Sequence, residues 1–168
     1  MKKRISTQHK MMISTLILLM FALSNVFSQE TSGTIEDEGK KPWIIDIEKA
    51  TMENKDYRKA VWTGEYMQLV LMSLEPGEEI KLELHSGNDQ FIRIESGVAR
   101  VLMGKEKDNL SFDKTIGDDW IMMIPAGYWH NIINVGQETL KVYTLYGLPV
   151  HEAGTVHETH EEAEDHHH

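Results

Sequence analysis

Short runs of apolar and β-branched residues, separated by clusters of Gly, Pro and Asp, follow one another along most of this 168-residue chain. Runs of this kind predict β-strands. The predicted strands are residues 43–47, 60–62, 67–74, 80–85, 90–95, 99–103, 120–124, 130–135 and 140–146. Since no segment between them has a convincing helical periodicity, the pattern predicts an all-β protein with two packed sheets, a jelly roll.

The first 28 residues have a different pattern. Four basic residues precede an apolar stretch with an uninterrupted core at residues 16–23, and Ser28 stands before Gln29. This order predicts a secretory signal peptide that is cleaved after Ser28. An uncleaved anchor is the weaker alternative, because the apolar core is shorter than the ~20 residues of a membrane-spanning helix. The mature protein is therefore predicted to be periplasmic or secreted, with no stable membrane insertion.

Composition divides the remaining chain into three parts. Residues 29–41 are polar and acidic, which predicts a flexible linker. Residues 42–150 contain the predicted strands and have the size of one domain. Residues 151–168 form a tail that is rich in His and Glu and contains six of the nine histidines. We expect the tail to be disordered or to form one short helix, for which Thr159 and Glu162 provide a capping box.

The chain is acidic, with a formal net charge of −10. Removal of residues 1–28 takes away four basic side chains and leaves 13 basic against 27 acidic residues. Such a surface repels nucleic acid and anionic lipid, so neither is expected as a partner. The chain has no cysteine, and nothing in it depends on the redox compartment.

Two groups of residues with fixed spacing lie within the predicted strands. The first is Gly77-x5-Glu83-x-His85-x4-Gln90-x6-Gly97, and the second is Asp119-x5-Pro125-x-Gly127-x2-His130-x3-Asn134. In the second group a proline and a glycine predict a tight turn that leads the histidine into a strand. Two motifs with joint spacing are far more specific than either motif alone.

These spacings resemble the two motifs of the cupin superfamily over about residues 42–149. The chain departs from the family pattern at three positions, where Glu83 replaces a histidine, Gln90 a glutamate and Asp119 a glycine. Residues 83–85, 89–91, 125–130 and 154–157 further resemble small single-domain bacterial cupins of type 2, which are often labelled mannose-6-phosphate isomerase-like. The resemblance implies a cupin double-stranded β-helix, which is a jelly-roll barrel, and a metal ion inside it.

The resemblance implies that Glu83, His85, Gln90 and His130 are the metal ligands. Glu83 and His85 are two residues apart on one strand and therefore share a face. Gln90 shares a face with two isoleucines on the next strand, which predicts that it points into the barrel. Cupins usually bind metal with three histidines and one glutamate. The present set also contains one carboxylate, while an amide oxygen replaces one imidazole.

This ligand set is harder than three imidazoles, so a divalent metal ion is expected, with Mn or Fe favoured and Ni or Zn as alternatives. A metal-free pocket in which Glu83 and Gln90 hydrogen-bond each other is the competing interpretation. Asp89 is a weaker alternative to Gln90, because the family also tolerates a shorter spacer.

The predicted function is that of an exported, metal-dependent enzyme that acts on a small oxygen-rich substrate, such as a sugar, a sugar acid or a phenolic compound. Isomerase, lyase and dioxygenase chemistry all remain open, and Glu83 is the candidate general base. The alternatives are a non-catalytic module that binds a small ligand and a metal-sequestering tail. The predicted pocket residues include no evident cluster of basic groups that would bind a phosphate. The resemblance also implies that a homodimer can form.

Overall fold

The computed structural model of the protein describes residues 35–165. The predicted signal peptide and the last three histidines lie outside these residues. The two helices are α1 (Ile47–Glu53) and α2 (His160–Asp165). The strands are β1 (Arg58–Thr63), β2 (Gln68–Leu74), β3 (Glu79–Leu84), β4 (Gln90–Ser96), β5 (Ala99–Gly104), β6 (Phe112–Ile116), β7 (Ile121–Ile124), β8 (Trp129–Asn134), β9 (Leu140–Tyr146) and β10 (Val156–His157).

The strands form two antiparallel sheets, which confirms the predicted all-β jelly roll. One sheet has six strands in the order β10-β1-β2-β9-β4-β7, and the other has four in the order β3-β8-β5-β6. Neighbours in each sheet come from distant parts of the sequence, so β3 pairs with β8 and β4 pairs with both β7 and β9. This winding brings the two sequence motifs side by side.

The main core fills the space between the two sheets. Alternate residues of each strand point inward, and on β4 the inward residues are Gln90, Ile92 and Ile94. Opposite them, Ile132 of β8 is completely buried. Burial of each such aliphatic side chain contributes roughly 1.5–3 kcal/mol to folding. The position of Gln90 among isoleucines on the inner face is therefore as the strand pattern predicted.

A second, smaller core lies on α1 and contains Ala50, Val61 and Leu71 as its buried residues. Asp46 caps α1, because its Oδ1 atom accepts a hydrogen bond from the backbone N–H of Lys49 at 3.2 Å. The predicted strand at residues 43–47 was wrong. Residues 43–46 form no strand, Ile47 begins α1, and Ile44 is 97% exposed.

The segment before α1 is attached to the barrel through Asp37. Its carboxylate accepts hydrogen bonds from the backbone N–H groups of Gly39, Thr63 and Gly154 at 2.8–2.9 Å. It also accepts one from the Thr63 hydroxyl at 2.6 Å. The first part of the chain that the structure describes thus contacts both β1 and the C-terminal segment.

The C-terminal segment also packs on the barrel. β10 pairs with β1, with Arg58 opposite His157, and Ala163 of α2 is buried in the main core. The hydroxyl of Thr159 accepts a hydrogen bond from the backbone N–H of Glu162, as the predicted capping box requires. Neither α1 nor α2 has the length and hydrophobicity of a membrane-spanning helix.

Candidate metal centre

Glu83, His85 and His130 form a cluster inside the barrel, which we call the Glu83 cluster. Glu83 and His130 lie directly opposite each other on the paired strands β3 and β8. The Nε2 atoms of His85 and His130 each lie 3.2 Å from the same atom, Oε1 of Glu83. One ligand atom from each residue lies within 4.8 Å of the others. Three side chains that metals favour therefore converge on one point.

The turn before β8 positions His130. Gly127 has a φ of +77°, a left-handed conformation that residues with a Cβ rarely adopt. Its backbone N–H donates to the carbonyl oxygen of His85 at 2.8 Å. The turn of the second motif is therefore hydrogen-bonded to the backbone of His85 in the first motif.

The ring orientation of His130 is set by the backbone. His130 is completely buried, and its Nδ1 atom lies 3.1 Å from the carbonyl oxygen of Tyr128. Because a carbonyl oxygen only accepts, Nδ1 carries a hydrogen. The Nε2 atom faces the Glu83 carboxylate, to which it donates a hydrogen bond when the ring is protonated. Without that second proton, Nε2 offers a lone pair that can bind a cation together with the carboxylate.

The charge of Glu83 is stabilised by the same contacts. Burial alone would raise the pKa of Glu83, but hydrogen bonds from His130 and His85, with the charges of these rings, outweigh burial. The pKa of this carboxyl group is therefore well below its usual range. Glu83 is held as an anion, which is the form that binds a metal ion.

Gln90 is 2% exposed and extends the polar interior. Its Nε2 atom donates to the Thr144 hydroxyl at 3.1 Å, while its Oε1 atom is buried without a hydrogen-bond partner. Gln90 and Glu83 do not hydrogen-bond each other, so this detail of the metal-free interpretation was wrong. A buried amide oxygen without a donor is rare in folded proteins, and it is a suitable ligand for a hard cation.

Asp89, the alternative to Gln90, is exposed and lies outside the Glu83 cluster. Its Oδ1 atom accepts a hydrogen bond from the backbone N–H of Ala126 at 2.8 Å. Asp89 therefore supports the Pro125–Gly127 turn from the outside. Asn134, the last residue of the second motif, likewise hydrogen-bonds backbone groups at 2.8–2.9 Å.

Tyr146 packs against one side of the cluster. Tyr146 is 2% exposed and contacts the rings of His85 and His151 edge-on, at centroid distances of 5.4 and 5.5 Å. Burial, and next the negative charge of Glu83, raise the pKa of Tyr146 well above its usual value. Gln68 holds His151 over this region, because its Oε1 atom accepts from the backbone N–H of His151 at 3.0 Å.

A cleft of about 260 Å³, which we call the mouth cleft, lies beside the cluster between β1, β3 and α2. Its lining includes Arg58, Lys81, Glu83 and Glu164. Arg58 was missed in the sequence because the strand predicted there was residues 60–62. Its signal was its position two residues before the buried Ala60, which places both side chains on one face of β1.

The residues of the Glu83 cluster fit a divalent cation on two observations of the structure. The first is the lone pair of His130, which is fixed by a backbone carbonyl in the way that metal-binding histidines usually are. The second is the Oε1 atom of Glu83, which both imidazoles face at 3.2 Å. Two imidazoles and one carboxylate are side chains that bind divalent metal ions.

Comparisons with known proteins agree with the motif analysis. A family model described as "Cupin domain" matches residues 70–146. The chain is 50% identical over 125 residues to the uncharacterized protein YrkC of Bacillus subtilis, a match that covers 74% of this chain and 67% of that protein. It is 42% identical over 115 residues to the uncharacterized protein L612 of Acanthamoeba polyphaga mimivirus, covering 68% and 70%. A crystal structure of a Bacillus halodurans protein has 45% identity and a TM-score of 0.77, over 78% of this chain and 99% of that chain.

Proposed function

Because the chain belongs to the cupin superfamily and carries the Glu83 cluster inside its barrel, we propose that it is a metal-dependent enzyme acting on a small oxygen-rich molecule. The observation that carries this proposal is the convergence of two imidazole Nε2 atoms on one carboxylate oxygen. The contact of His130 Nδ1 with the carbonyl oxygen of Tyr128 orients its Nε2 atom towards the same carboxylate oxygen, where a cation would replace a proton. Sugars, sugar acids and phenolic compounds are the substrate classes we consider.

In this proposal Glu83, His85 and His130 hold the ion, and Gln90 contributes its free amide oxygen. Mn or Fe(II) is the favoured metal, with Ni or Zn as alternatives. A bound divalent ion would polarise a carbonyl, hydroxyl or water oxygen as a Lewis acid.

Glu83 has a second proposed role as the proton acceptor. Both imidazole contacts are made to its Oε1 atom, and Glu83 also lines the mouth cleft. A carboxylate in this position can take a proton from a substrate held in the cleft and return it to a neighbouring atom. This is the proton transfer that an isomerase or a lyase requires; dioxygenase chemistry is the third reaction class.

Metal analysis of the mature chain, residues 29–168, tests the proposal. We expect about one equivalent of Mn, Fe, Ni or Zn per chain, and none in the variant His85→Ala/His130→Ala. The control replaces His166, His167 and His168 by alanine and should retain the equivalent. Loss of metal in the control instead of the double variant would assign the metal to the tail. Absence of metal in the parent, even after reconstitution, would reject the proposal in favour of a metal-free binding module.

The role of Glu83 is tested by Glu83→Gln, which keeps the shape of the side chain and removes its charge. We expect metal affinity to fall at least about tenfold, because the amide offers a weaker ligand to a divalent cation. A Glu83→Gln protein with unchanged metal affinity would remove Glu83 from the ligand set. A circular dichroism spectrum checks that the variant is folded.

Export of the protein is part of the proposal and rests on residues 1–28 alone. Fractionation of cells expressing the full chain, followed by N-terminal sequencing, should find a product that begins at Gln29. An intact N-terminus would exclude cleavage. The predicted homodimer is tested by the mass of the mature protein in solution.

A further inference from the structure

The mouth cleft contains four charged side chains, and three of them have partners. Lys81 forms an ion pair with Glu164 of α2. Glu83 is contacted by the two imidazoles of the cluster. Arg58 is the exception, because its guanidinium forms no hydrogen bond or ion pair with any residue between 35 and 165, and its Nε atom is buried without a partner.

Arg58 is only 3% exposed, although an arginine is always charged at physiological pH. Its guanidinium carbon lies 5.5 Å from the centroid of the Tyr57 ring. At this distance, within the range of cation–π interactions, the contact is weak compared with the cost of taking an unpaired charge out of water. Stability alone therefore does not explain why arginine is present at this position.

Tyr57 and the residues of α2 form the walls of the cleft around Arg58. Tyr57 is fixed because its hydroxyl donates to the carbonyl oxygen of Glu79 at 2.8 Å, and the ring of His160 on α2 packs edge-on against it. Ala163 of α2 closes one side. A volume of about 260 Å³ accommodates a small metabolite and excludes a large one.

We propose that Arg58 binds the carboxylate of a small hydroxy acid or sugar acid whose other oxygen atoms lie against the Glu83 cluster. The inference rests on the proposed function, since it selects one substrate class for the same site. The planar guanidinium can bind a carboxylate through two parallel N–H···O hydrogen bonds. A carboxylate on the ligand would supply the negative charge that pairs with Arg58.

The local charge favours a carboxylate over a phosphate group. Lys81 is already paired with Glu164, so Arg58 supplies a positive charge in the cleft lining that no ion pair offsets. A carboxylate carries the single negative charge that balances one guanidinium, whereas a phosphate group carries up to two.

Calorimetric titration of the metal-loaded mature protein tests the inference. The probes are D-glucuronate and glycolate, with D-glucose and ethylene glycol as their uncharged counterparts and inorganic phosphate as the competing anion. We expect the acids to bind and their uncharged counterparts to bind at least about tenfold more weakly. Uncharged probes that bind as tightly as the acids, or phosphate that binds more tightly, would overturn the assignment.

Two substitutions separate Arg58 from the metal, which can itself bind hydroxy acids. Arg58→Met should lower acid affinity at least about 30-fold while metal content stays unchanged. Arg58→Lys should give an intermediate affinity, because lysine keeps the charge and loses the planar fork. The control is Arg100→Met, which removes an exposed guanidinium that pairs with Asp113 across β5 and β6.

A structural role for Arg58 predicts different results. If Arg58 acts through ligand binding, Arg58→Met without ligand melts at the same or a higher temperature than the parent, because a buried unpaired charge has been removed. Unchanged acid affinity in Arg58→Met would overturn the inference and leave the metal proposal intact. Loss of metal from the parent, measured separately, would instead reject the proposed function.

Discussion

Two buried amide side chains on opposite sheets have opposite surroundings. Asn134 on β8 uses all of its polar atoms, because its Nδ2 atom donates to the carbonyl oxygens of Leu74 and Glu138 and its Oδ1 atom accepts from Gly136. Gln90 on β4 donates to Thr144 and leaves its Oε1 atom without a partner. Complete hydrogen bonding is expected where an amide serves the fold. The oxygen of Gln90 that lacks a partner is instead what we expect of a side chain that binds a cation.

Two carboxylates show the same difference. Asp37 and Glu83 both have a pKa below the usual range. Asp37 receives its hydrogen bonds from backbone N–H groups and a hydroxyl, which stay in place at any pH. Glu83 is contacted by two imidazoles, which can give up a proton and bind a metal ion instead. Fixed donors thus mark a structural carboxylate, and exchangeable ones mark the candidate site.

The largest expected effect on stability comes from Asn134, the amide whose polar atoms are all hydrogen-bonded. Asn134→Leu removes the donor from two carbonyl oxygens and the acceptor from one N–H, and leaves these backbone groups buried. We expect a loss of about 2–3 kcal/mol in the free energy of unfolding. Urea denaturation of the metal-free protein measures it. A loss below about 1 kcal/mol would show that hydrogen-bond saturation does not distinguish the two amides.

Gln90→Leu should have little effect on stability and a large effect on metal affinity. It removes one hydrogen bond and one unpartnered oxygen and adds apolar contacts, while the Thr144 hydroxyl still donates to the carbonyl oxygen of Phe91 at 2.9 Å. We expect a change of less than about 1 kcal/mol in metal-free stability. Metal affinity should fall at least about tenfold, as measured by competition with a chelator. Gln90→Glu is the matched control and should bind divalent metal more tightly, since it adds a carboxylate.

The fold and the core of the site were predictable from the sequence for a physical reason. Alternation along a strand determines which side chains share a face, and the motif glycines occupy left-handed positions at φ of +88°, +102° and +77°. These local constraints place Glu83 and His85 on one face of their strand. His130 lies opposite Glu83 through the pairing of β3 with β8, and its place in the predicted ligand set came from the resemblance to the cupin motifs.

The features that were missed depend on distant parts of the chain. Arg58 is buried because β10 pairs with β1 and α2 covers the cleft, about 100 residues further along the chain. The apolar residues at 43–45 resemble a strand, but the edge of the six-stranded sheet next to β1 is taken by β10. A two-residue strand and a seven-residue helix also give little periodicity to detect.

A smaller effect is expected at Asp37. Partial burial would raise its pKa, but the hydrogen bonds from Thr63, Gly154 and Gly39 outweigh burial and lower it below 3.8. A lowered carboxyl pKa stabilises the fold above the unfolded-state value, and this contribution is lost as the pH falls through the folded-state pKa. Asp37→Asn should cost at most about 1 kcal/mol at neutral pH, because the group is partly in water.

The pH dependence separates this effect from a general loss of stability. The stability difference between Asp37→Asn and the parent should shrink as the pH falls below about 4, where the unfolded-state carboxyl binds a proton, and through the lower folded-state pKa. Thermal denaturation at several pH values measures it. Glu106→Gln, which changes an exposed carboxylate in the turn between β5 and β6, is the control. A difference that is constant from pH 3 to pH 7 would contradict a charge-dependent role.

The smallest expected effect concerns the one motif glycine that this chain replaces. Asp119 has a φ of +67°, so the family's preference for glycine there follows from backbone conformation, and aspartate is among the residues that tolerate it. Its carboxylate pairs with Arg93 at 2.8 Å on the surface, a contact worth about 0–1 kcal/mol. Asp119→Gly should therefore change stability by less than about 1 kcal/mol, whereas Asp119→Val should lose about 1–2 kcal/mol. If Asp119→Val were as stable as Asp119→Gly, the left-handed conformation would not explain the glycine of the motif.

The metal affinity of both Asp119 variants should equal that of the parent, because Asp119 lies outside the Glu83 cluster.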